Sequence, residues 1–363
     1  MSDLIRDVEV FSPMKRVENP AYDANFILKW SGYVTVRIVM ESGLDGWGMT
    51  FSDPVAEYVA RYMKDELIGK DPIAHEDIWA AMYGVIRSSG RKGVALMAMS
   101  AVDIAIWDLR GKLLGLPIYR LLGGTNRRIP AYASVGFLSM PDDEVVEKSL
   151  QYIQAGYTTL KIKVGFDRGN NIKADVKRVE KVRAAVGNQA QIIVDANGVY
   201  DAATAIRFAR AAADVDICLL EEPTHADDIA GLRRVRDTGL VPVASGENEY
   251  TKYGCRDLLM AEAVDVLQFD IARTGGFTEM MKIAAISQAW NVKMAPHFWP
   301  QFSAHVLSAI PNGLYLEVFP ENRGAPIIKN QPAVTGGFYE IPDAPGLGLD
   351  FDREYLLPHT FTL

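Results

Sequence analysis

The chain has 363 residues, of which 49% are hydrophobic, a length that accommodates two domains or one barrel with an extension. Its formal net charge of -8 argues against a nucleic-acid or anionic-membrane partner, because such partners require an excess of Lys and Arg. Only two cysteines occur, so we expect neither a disulfide framework nor a cysteine-based zinc site, and the reducing cytoplasm fits best. No basic region precedes an apolar block at the start, and no uncharged apolar run approaches about 18 residues, so neither export nor a membrane span is predicted.

The first third of the chain predicts strands followed by helices. Residues 4–11 and 32–40 alternate in the manner of strands, and residues 43–47 carry turn chemistry that would precede a third strand. Residues 74–86 and 91–114 keep apolar side chains at helical spacing. This order is typical of a small α+β domain, which we place at residues 1–125.

From about residue 129 onward, short apolar strands alternate with helical segments. The predicted strands are 129–135, 158–164, 191–195, 216–221, 241–247, 265–270, 292–297 and 314–318, and helices are predicted between them, as at 172–186, 202–213 and 278–290. Eight consecutive βα units predict an α/β fold with a closed (β/α)8-type barrel, at residues 126–325. The C-terminal segment, residues 326–363, is expected to return and complete the capping domain.

Six predicted strands in succession end in an ionisable residue: Asp195, Glu221, Glu247, Asp270, His297 and Glu317. Consecutive members of this series are separated by 20 to 27 residues, about one βα unit. Successive strands of a barrel therefore lift one group each to the same rim. The C-terminal rim holds the active site in such barrels, so the spacing predicts a single cluster.

Three acids from adjacent strands, Asp195, Glu221 and Glu247, would repel one another strongly at close range. A divalent cation relieves this repulsion. Ligation by oxygen alone, without cysteine or histidine, suits Mg²⁺. The alternative is that these acids are exposed loop residues or members of structural ion pairs.

The stretch TTLKIKVG at residues 158–165 places Lys161 and Lys163 on one face of a strand that neighbours the strand ending in Asp195. On an open strand the two would simply be solvated. In a barrel mouth, burial and a second ammonium group can lower a lysine pKa from about 10.4 toward about 7 or 8, so that the amine acts as a base. We assign Lys163 as the base and Lys161 as the group that lowers its pKa.

Asp270 and His297 are predicted on neighbouring strand ends across the barrel, where the carboxylate would fix the imidazole tautomer and make His297 a second base or acid. A cation flanked by an amine and an imidazole suits removal of a proton α to a carboxylate, because the cation stabilises the resulting enediolate. Glu317 would add a hydrogen-bond donor if it were protonated; the alternative is a structural salt bridge. A metal-independent glycoside hydrolase and a non-catalytic binding barrel are the alternatives from other classes.

The motifs KIK, VDAN, EEP, GEN and LEV, together with the Asp270 and His297 pair, resemble the enolase superfamily and specifically its mandelate racemase subgroup. The resemblance covers nearly the whole chain, from GWG at residues 46–48 to the tail. It implies that Asp195, Glu221 and Glu247 bind Mg²⁺. It implies that Lys163, assisted by Lys161, is one catalytic group and that His297, with Asp270, is the other. It further implies that Glu317 donates to the substrate carboxylate and that Asn197 lies near the substrate. It also implies a symmetric homo-oligomer.

Members that keep both bases resemble acid-sugar dehydratases. We therefore expect Lys163 to remove the C2 proton of an aldonate or aldarate and His297 to protonate the departing C3 hydroxyl, which gives a 2-keto-3-deoxy acid. A racemase or epimerase and a cycloisomerase are the alternatives within the same chemistry.

Capping-domain loops, at residues 16–26 and 47–54, are expected to select the substrate, with Trp299 and Arg273 nearby. Trp299, with Tyr22 and Phe26, would form either an apolar wall or part of the core. Arg273 would hold either a distal substrate carboxylate or an acid of the rim.

Overall fold

The computed structural model describes residues 3–51, 54–320 and 327–362, and its N-terminal part is built on an antiparallel sheet. Strands β1 (Ile5–Phe11), β4 (Val34–Met40) and β5 (Asp45–Thr50) form this sheet in the order β1-β4-β5, while β2 (Lys15–Arg16) and β3 (Trp30–Ser31) pair separately. The turn predicted at residues 43–47 is shorter than expected, because Gly46 and Trp47 already pair with β4.

The helices of this part are α1 (Pro54–Tyr58), a π-helical turn at Val59–Met63, α2 (Lys64–Leu67), α3 (His75–Ile86), α4 (Val94–Leu114) and α5 (Ile118–Leu121). Helix α4 is buried along most of its 21 residues, as expected for a helix that is apolar on nearly every side. It begins three residues later than predicted, directly after Gly93, whose φ is +76°. None of the helices in the described ranges is both long and apolar enough to cross a membrane.

Helix α4 packs directly on strand β5 through two glycines. A Cβ atom at Gly48 would lie far inside van der Waals contact with the carbonyl oxygen of Ala101, and one at Gly46 would collide with that of Ala105. The absence of side chains at the GWG motif therefore lets sheet and helix backbones touch.

Eight parallel strands form the second part. They are β6 (Arg128–Val135), β7 (Thr159–Lys163), β8 (Gln191–Asp195), β9 (Ile217–Glu221), β10 (Val243–Ser245), β11 (Val266–Phe269), β12 (Lys293–Pro296) and β13 (Leu316–Val318). The helices between them are α6 (Asp142–Gln154), α7 (Ile172–Val186), α8 (Ala202–Ala211), α9 (Ile229–Arg236), α10 (Thr251–Met260), α11 (Ile271–Thr274), α12 (Gly276–Ala289) and α13 (Pro300–Ala309), with 3-10 turns at Gly187–Gln189 and Ala213–Val215. Each of these strands lies within two residues of its predicted bounds.

The strands close into a barrel. Strands β6 to β12 pair in consecutive order, β13 pairs in parallel with β6, and a parallel bridge between Met294 and Gly313 joins β12 to the segment before β13. The predicted (β/α)8-type barrel with an N-terminal α+β cap is confirmed. Its C-terminal rim carries the ends of all eight strands.

The C-terminal segment contains β14 (Val334–Thr335), β15 (Phe338–Glu340), α14 (Arg353–Leu356) and a 3-10 turn at Leu357–His359. It contacts both parts of the chain: β15 pairs with β6, the Phe351 ring stacks on Trp47 with centroids 5.0 Å apart, and the N–H of Leu347 donates to the buried Asp108 of α4. The domain boundary predicted between 125 and 126 stays a prediction. The one predicted at 325 lies in 321–326, outside the described residues, as do residues 52–53 of the predicted 47–54 loop.

Substituting Gly48→Ala should destabilise the protein by about 1–3 kcal/mol or more, since the added methyl group forces strand β5 away from helix α4. Gly84→Ala in α3 is the matched control, because its Cβ would meet no atom within 4 Å. This change should be neutral or stabilise by up to about 1 kcal/mol. Thermal unfolding followed by circular dichroism measures both. A melting temperature of Gly48→Ala at or above that of Gly84→Ala would contradict the proposed contact.

Candidate active site

Three acids lie at the C-terminal ends of neighbouring strands β8, β9 and β10. Asp195 is the register partner of Glu221, and Glu221 is in turn the partner of Ala244, three residues before Glu247. All three acids are buried. The structure therefore brings together the side chains that the spacing predicted to be one cluster.

Lys161 and Lys163 point into the barrel, while Leu160 and Ile162 of the same strand join the apolar core between strands and helices. The Lys161 ammonium donates to Oε1 of Glu221 at 2.6 Å. It also lies 2.6 Å from Oε1 of Glu317 and 3.7 Å from Oδ2 of Asp195. Burial lowers the pKa of Lys161, but Glu221 and Glu317 outweigh it and hold the pKa well above its ordinary value.

Lys163 donates to Oδ2 of Asp195 and to Oδ1 of Asn197, both at 2.8 Å. Burial and the Lys161 ammonium act in the predicted direction and lower its pKa. The carboxylate of Asp195 outweighs them and leaves the pKa above its ordinary value, so the expected net lowering is wrong for this arrangement. Sequence spacing identified the second ammonium group but not the competing hydrogen-bonded carboxylate.

The pKa values of two acids in the cluster are shifted in opposite directions. Burial raises the pKa of Asp195, yet Lys163 and Lys161 outweigh it and bring it to about 2. Burial raises the pKa of Glu221 to about 8 against the attraction of Lys161, and Asp195, Glu317 and Glu247 act in the same direction as burial. The two lysines thus favour the ionised form of Asp195, whereas burial and the neighbouring acids make Glu221 harder to ionise despite its contact with Lys161.

Glu317 does not have the predicted form of a protonated donor. Its Oε1 pairs with Lys161, and its Oε2 accepts the N–H of Phe298 at 2.9 Å. Burial raises the pKa of Glu317, but Lys161 and His297 outweigh this effect and lower it. Because Lys161 and the N–H of Phe298 both donate to it, the Glu317 side chain is an ionised acceptor. The structure therefore shows the predicted alternative, a salt bridge.

His297 and Asp270 meet as predicted. The imidazole Nδ1 lies 2.8 Å from Oδ2 of Asp270, and since a carboxylate only accepts, Nδ1 carries the proton. The other ring nitrogen, Nε2, lies 3.6 Å from Oε1 of Glu247. Burial lowers the pKa of His297, but Glu247 and Asp270 outweigh it and raise the pKa.

Arg273 pairs with acids of the rim, which was one of its two predicted roles. It donates to the backbone carbonyl of Glu247 at 2.9 Å and to Oδ1 of Asn248 at 3.2 Å. Its guanidinium also lies 3.4 Å from Asp270 and 3.5 Å from the Glu247 carboxylate. These contacts show the pairing with rim acids, and the predicted substrate-binding role of Arg273 stays a prediction.

Trp299 is core and not an exposed wall. Its side chain is 0% exposed, with ring centroids 4.8 Å from both Tyr33 and Phe51. Tyr22 and Phe26, by contrast, are 43% and 58% exposed. The substrate-binding role predicted for Trp299 is therefore wrong, because the cap covers the ring completely.

Asn197 links the rim to the cap. Its backbone N–H donates to Oδ1 of Asp195, its Oδ1 accepts from Lys163, and its carbonyl oxygen accepts from Asn25 of the predicted 16–26 loop at 2.6 Å. Asn197 has φ +45°, and this left-handed backbone conformation directs its side chain toward Lys163 and its carbonyl oxygen toward Asn25. The cap loop thus lies beside Lys163.

The cap also holds the segment that follows Asp270. Thr50 donates to the carbonyl of Ala272, Ser100 accepts the N–H of Gly275, and Asp103 accepts that of Thr278, at 2.8 to 2.9 Å. Helix α11 is thereby fixed from the cap side. No spacing rule in the sequence predicts these contacts, since they join residues 175 to 222 positions apart.

Several aromatic residues at the rim were not predicted. Phe298, Phe319 and Phe137 follow the ends of β12, β13 and β6, and Phe51 follows β5 of the cap. All four are half-buried; the rings of Phe51 and Phe298 lie near His297, that of Phe137 lies near Lys163, and that of Phe319 contacts Phe298 and Phe137. Their position one or two residues after a strand end is a signal that the sequence did contain, although it was read only for ionisable residues.

The donor set fits a divalent cation. Six buried acids converge at the rim against three basic side chains, Lys161, Lys163 and Arg273; the acids are Asp195, Glu221, Glu222, Glu247, Asp270 and Glu317. Oε2 of Glu221 is buried without a hydrogen-bond partner. Within residues 3–51, 54–320 and 327–362, no group of three acid, histidine or cysteine side chains has the arrangement of a metal site. Lys161 and Lys163 instead pair with Glu221 and Asp195. Oxygen-only donors and a surplus of carboxyl groups nonetheless suit Mg²⁺.

A capped barrel of eight parallel strands, with acids on consecutive strand ends and a lysine and a histidine beside them, defines a class of (β/α)8 enzymes. The chain belongs to the mandelate racemase/muconate lactonizing enzyme family of the enolase superfamily. Residues 5–123 match the family's N-terminal domain, and residues 144–355 match the enolase C-terminal domain-like model. The resemblance seen in the motifs is confirmed.

Relatives of known activity cover nearly the whole chain. The 3,6-anhydro-alpha-L-galactonate cycloisomerase of Streptomyces coelicolor is 35% identical over 88% of this chain and 90% of its own. A racemase from Streptomyces coelicolor, solved with bound magnesium, is 31% identical with a TM-score of 0.92 over 99% and 100% of the two chains. L-talarate/galactarate dehydratase of Salmonella typhimurium is 29% identical with a TM-score of 0.92 over 100% and 93%, and a variant of it was solved with Mg and L-glucarate.

The variant Lys161→Met should lose about 3–5 kcal/mol of stability near pH 8, since it leaves the carboxylates of Glu221 and Glu317 buried without their shared cation. The double variant with Glu317→Gln should recover part of this loss. Urea unfolding of both variants gives the coupling free energy.

Lys181→Met is the control, because this lysine pairs with acids at the surface and should change stability far less than Lys161→Met does. Equal stability of the Lys161 and Lys181 variants would contradict a structural role for the buried ammonium.

Proposed function

We propose that this protein is a divalent-metal-dependent dehydratase of an acid sugar, an aldonate or aldarate, that produces a 2-keto-3-deoxy acid. One observation carries the proposal: a lysine and a histidine flank the acid cluster from opposite sides. Lys163 at the end of β7 contacts Asp195, and His297 after β12 approaches Glu247. A substrate held at the acids therefore presents one group to an amine and another to an imidazole.

Asp195, Glu221 and Glu247 would hold the cation, and Mg²⁺ is the ion that their oxygen donors favour. When bound, the ion supplies positive charge that stabilises the charge developing on the substrate carboxylate. The magnesium in the related racemase supports this assignment.

Lys163 would remove the proton from C2. Its Nζ is aimed by Asp195 and Asn197, both at 2.8 Å, and Asn197 is in turn held by Asn25 of the cap. The base must be neutral. Burial and the Lys161 ammonium lower the pKa of Lys163, whereas the Asp195 carboxylate outweighs them and holds the pKa above its ordinary value; a bound cation would draw that carboxylate away from the amine. Removal of the proton leaves an enediolate on the substrate.

His297 would complete the reaction as an acid. Asp270 fixes the proton on Nδ1, so Nε2 faces the mouth, and the raised pKa of His297 favours the imidazolium. Nε2–H then gives its proton to the C3 hydroxyl, which leaves as water while the C3–O bond breaks. The resulting enol becomes the 2-keto-3-deoxy acid.

Lys161, in place of Glu317, would be the hydrogen-bond donor to the substrate carboxylate. Its ammonium is retained because Glu221 and Glu317 raise its pKa. Glu317 would act through Lys161, as a positioning residue, and through the N–H of Phe298. This role needs no protonated carboxyl group.

A cycloisomerase is the second candidate, favoured by the 35% identity to a 3,6-anhydro-alpha-L-galactonate cycloisomerase. Proton removal by Lys163 would be shared, whereas the group expelled next would be a ring oxygen in place of a hydroxyl. The product therefore distinguishes the two. Membership in this family favours either over a metal-independent glycoside hydrolase or a non-catalytic barrel.

A symmetric homo-oligomer in the cytoplasm also remains part of the proposal. Exposed apolar side chains of the cap loop, Tyr22, Phe26, Ile27 and Trp30, support an oligomer because an isolated chain leaves them in water. The two cysteines are free, which is consistent with a reducing compartment.

Lys163→Ala and His297→Asn should separate the two proton transfers. With Mg²⁺ and a panel of acid sugars in D₂O, Lys163→Ala should lose both α-deuterium exchange and dehydration, by about 100-fold or more. His297→Asn should lose dehydration yet keep exchange, because Lys163 remains. Proton NMR follows exchange, and semicarbazide detects the keto acid.

Lys293→Ala is the matched control, since this exposed lysine lies at the other end of β12 and should leave both rates unchanged. Exhaustive EDTA should abolish turnover until Mg²⁺ is restored. Absence of exchange and of product with every acid sugar would defeat the proposal, and full activity after EDTA would point to the glycoside hydrolase.

A further inference from the structure

Four half-buried rings form a continuous aromatic belt on one side of the mouth: Phe51, Phe298, Phe319 and Phe137. Successive ring centroids along it lie 6.0, 5.5 and 6.3 Å apart. These distances are those of aromatic rings in contact. The belt is therefore one apolar surface and not four separate side chains.

The belt spans the mouth from one proposed catalytic group to the other. Phe51 and Phe298 lie 6.3 and 6.2 Å from the His297 ring, and the Nζ of Lys163 lies 5.6 Å from the Phe137 ring. A substrate that reaches both groups must run alongside the belt.

The belt also faces the acids from across the barrel. Its three barrel members follow β12, β13 and β6, which are neighbours in the sheet, whereas the acid trio follows β8, β9 and β10. With the substrate carboxylate held on the acid side, the remaining carbons extend toward the aromatic side.

The cations that approach the mouth are already engaged. Lys161 and Lys163 pair with carboxylates at 2.6 to 2.8 Å, and Arg273 contacts Glu247 and Asp270 while its guanidinium lies 5.0 Å from the Phe51 ring. Among the described residues, the charges of these three side chains, and that of His297 beside Asp270 and Glu247, already face protein carboxylates. The faces of aromatic rings carry partial negative charge and repel an anion, and an unpaired carboxylate buried against them loses its hydration.

We propose, building on the function proposed above, that the substrate is a monocarboxylic acid sugar whose uncharged far end lies against the aromatic belt. An aldonate or a deoxy-aldonate meets this description. An aldarate does not, because its second carboxylate would lie beside Phe298 and Phe319, where the neighbouring His297 already faces Asp270 and Glu247. The belt thereby selects within the acid sugars that the cluster can process.

The test compares kcat/KM for aldonates and aldarates matched in configuration at C2 and C3. The monoacid should be preferred by at least about tenfold. Phe319→Arg, which places a cation in the belt, should reduce this preference by about tenfold or more, while Phe319→Leu should retain it. Trp290→Arg, at a 43% exposed ring after α12 on the opposite end of the barrel, should leave the preference unchanged.

Binding measured by calorimetry to the Lys163→Ala variant, with Mg²⁺ present, provides a readout that does not depend on turnover. It should show the same preference for the monoacid. Exchange or binding that favours the aldarate in the wild-type protein would overturn the inference and leave the proposed dehydratase standing. Absence of exchange with both classes would overturn the proposed function and this inference with it.

Discussion

The ammonium group of Lys161, buried between Glu221 and Glu317, is the interaction on which the rest of the site depends. These side chains come from β7, β9 and β13, which alternate around the barrel, and alternate strands share interior layers in such barrels. Burying one charge costs several kcal/mol, and two carboxylates at 2.6 Å offset that cost. The same contact fixes Glu221 at the place where the cation is proposed to bind.

Two consequences follow for Lys163 and His297. Lys163 shares its strand face with Lys161, so its position relative to Asp195 is set by the pairing of β7 with β8, in which Lys163 and Asp195 are register partners. His297 depends instead on Asp270, and the segment after Asp270 is held by the cap through Thr50 and Ser100. Barrel and cap thus position both proposed catalytic groups: the cap reaches Lys163 through Asn25 and Asn197, and it reaches His297 through the segment after Asp270.

Periodicity and spacing predicted the fold well because both are local properties. Strand alternation located β7 and its two inward lysines, and the regular βα spacing located the acids from Asp195 to Glu317. Partners were harder to predict, since the contact between Lys161 and Glu317 joins residues far apart in the chain. For the same reason the sequence left two roles open for Arg273 and for Trp299, and only the structure shows rim acids beside Arg273 and the cap aromatics Tyr33 and Phe51 beside Trp299.

The mouth is divided into a charged half and an apolar half, and this division constrains how a substrate can lie. Carboxylates and ammonium groups at β7 to β10 would stabilise an anionic end, whereas the rings after β12, β13 and β6, together with His297 and Glu317, would cover the other end and exclude water from it. Exclusion of water strengthens every charge interaction within the mouth. The aromatic side therefore contributes to chemistry at the acids without touching them, because a drier mouth makes the same Lys161, Lys163 and His297 charges more effective.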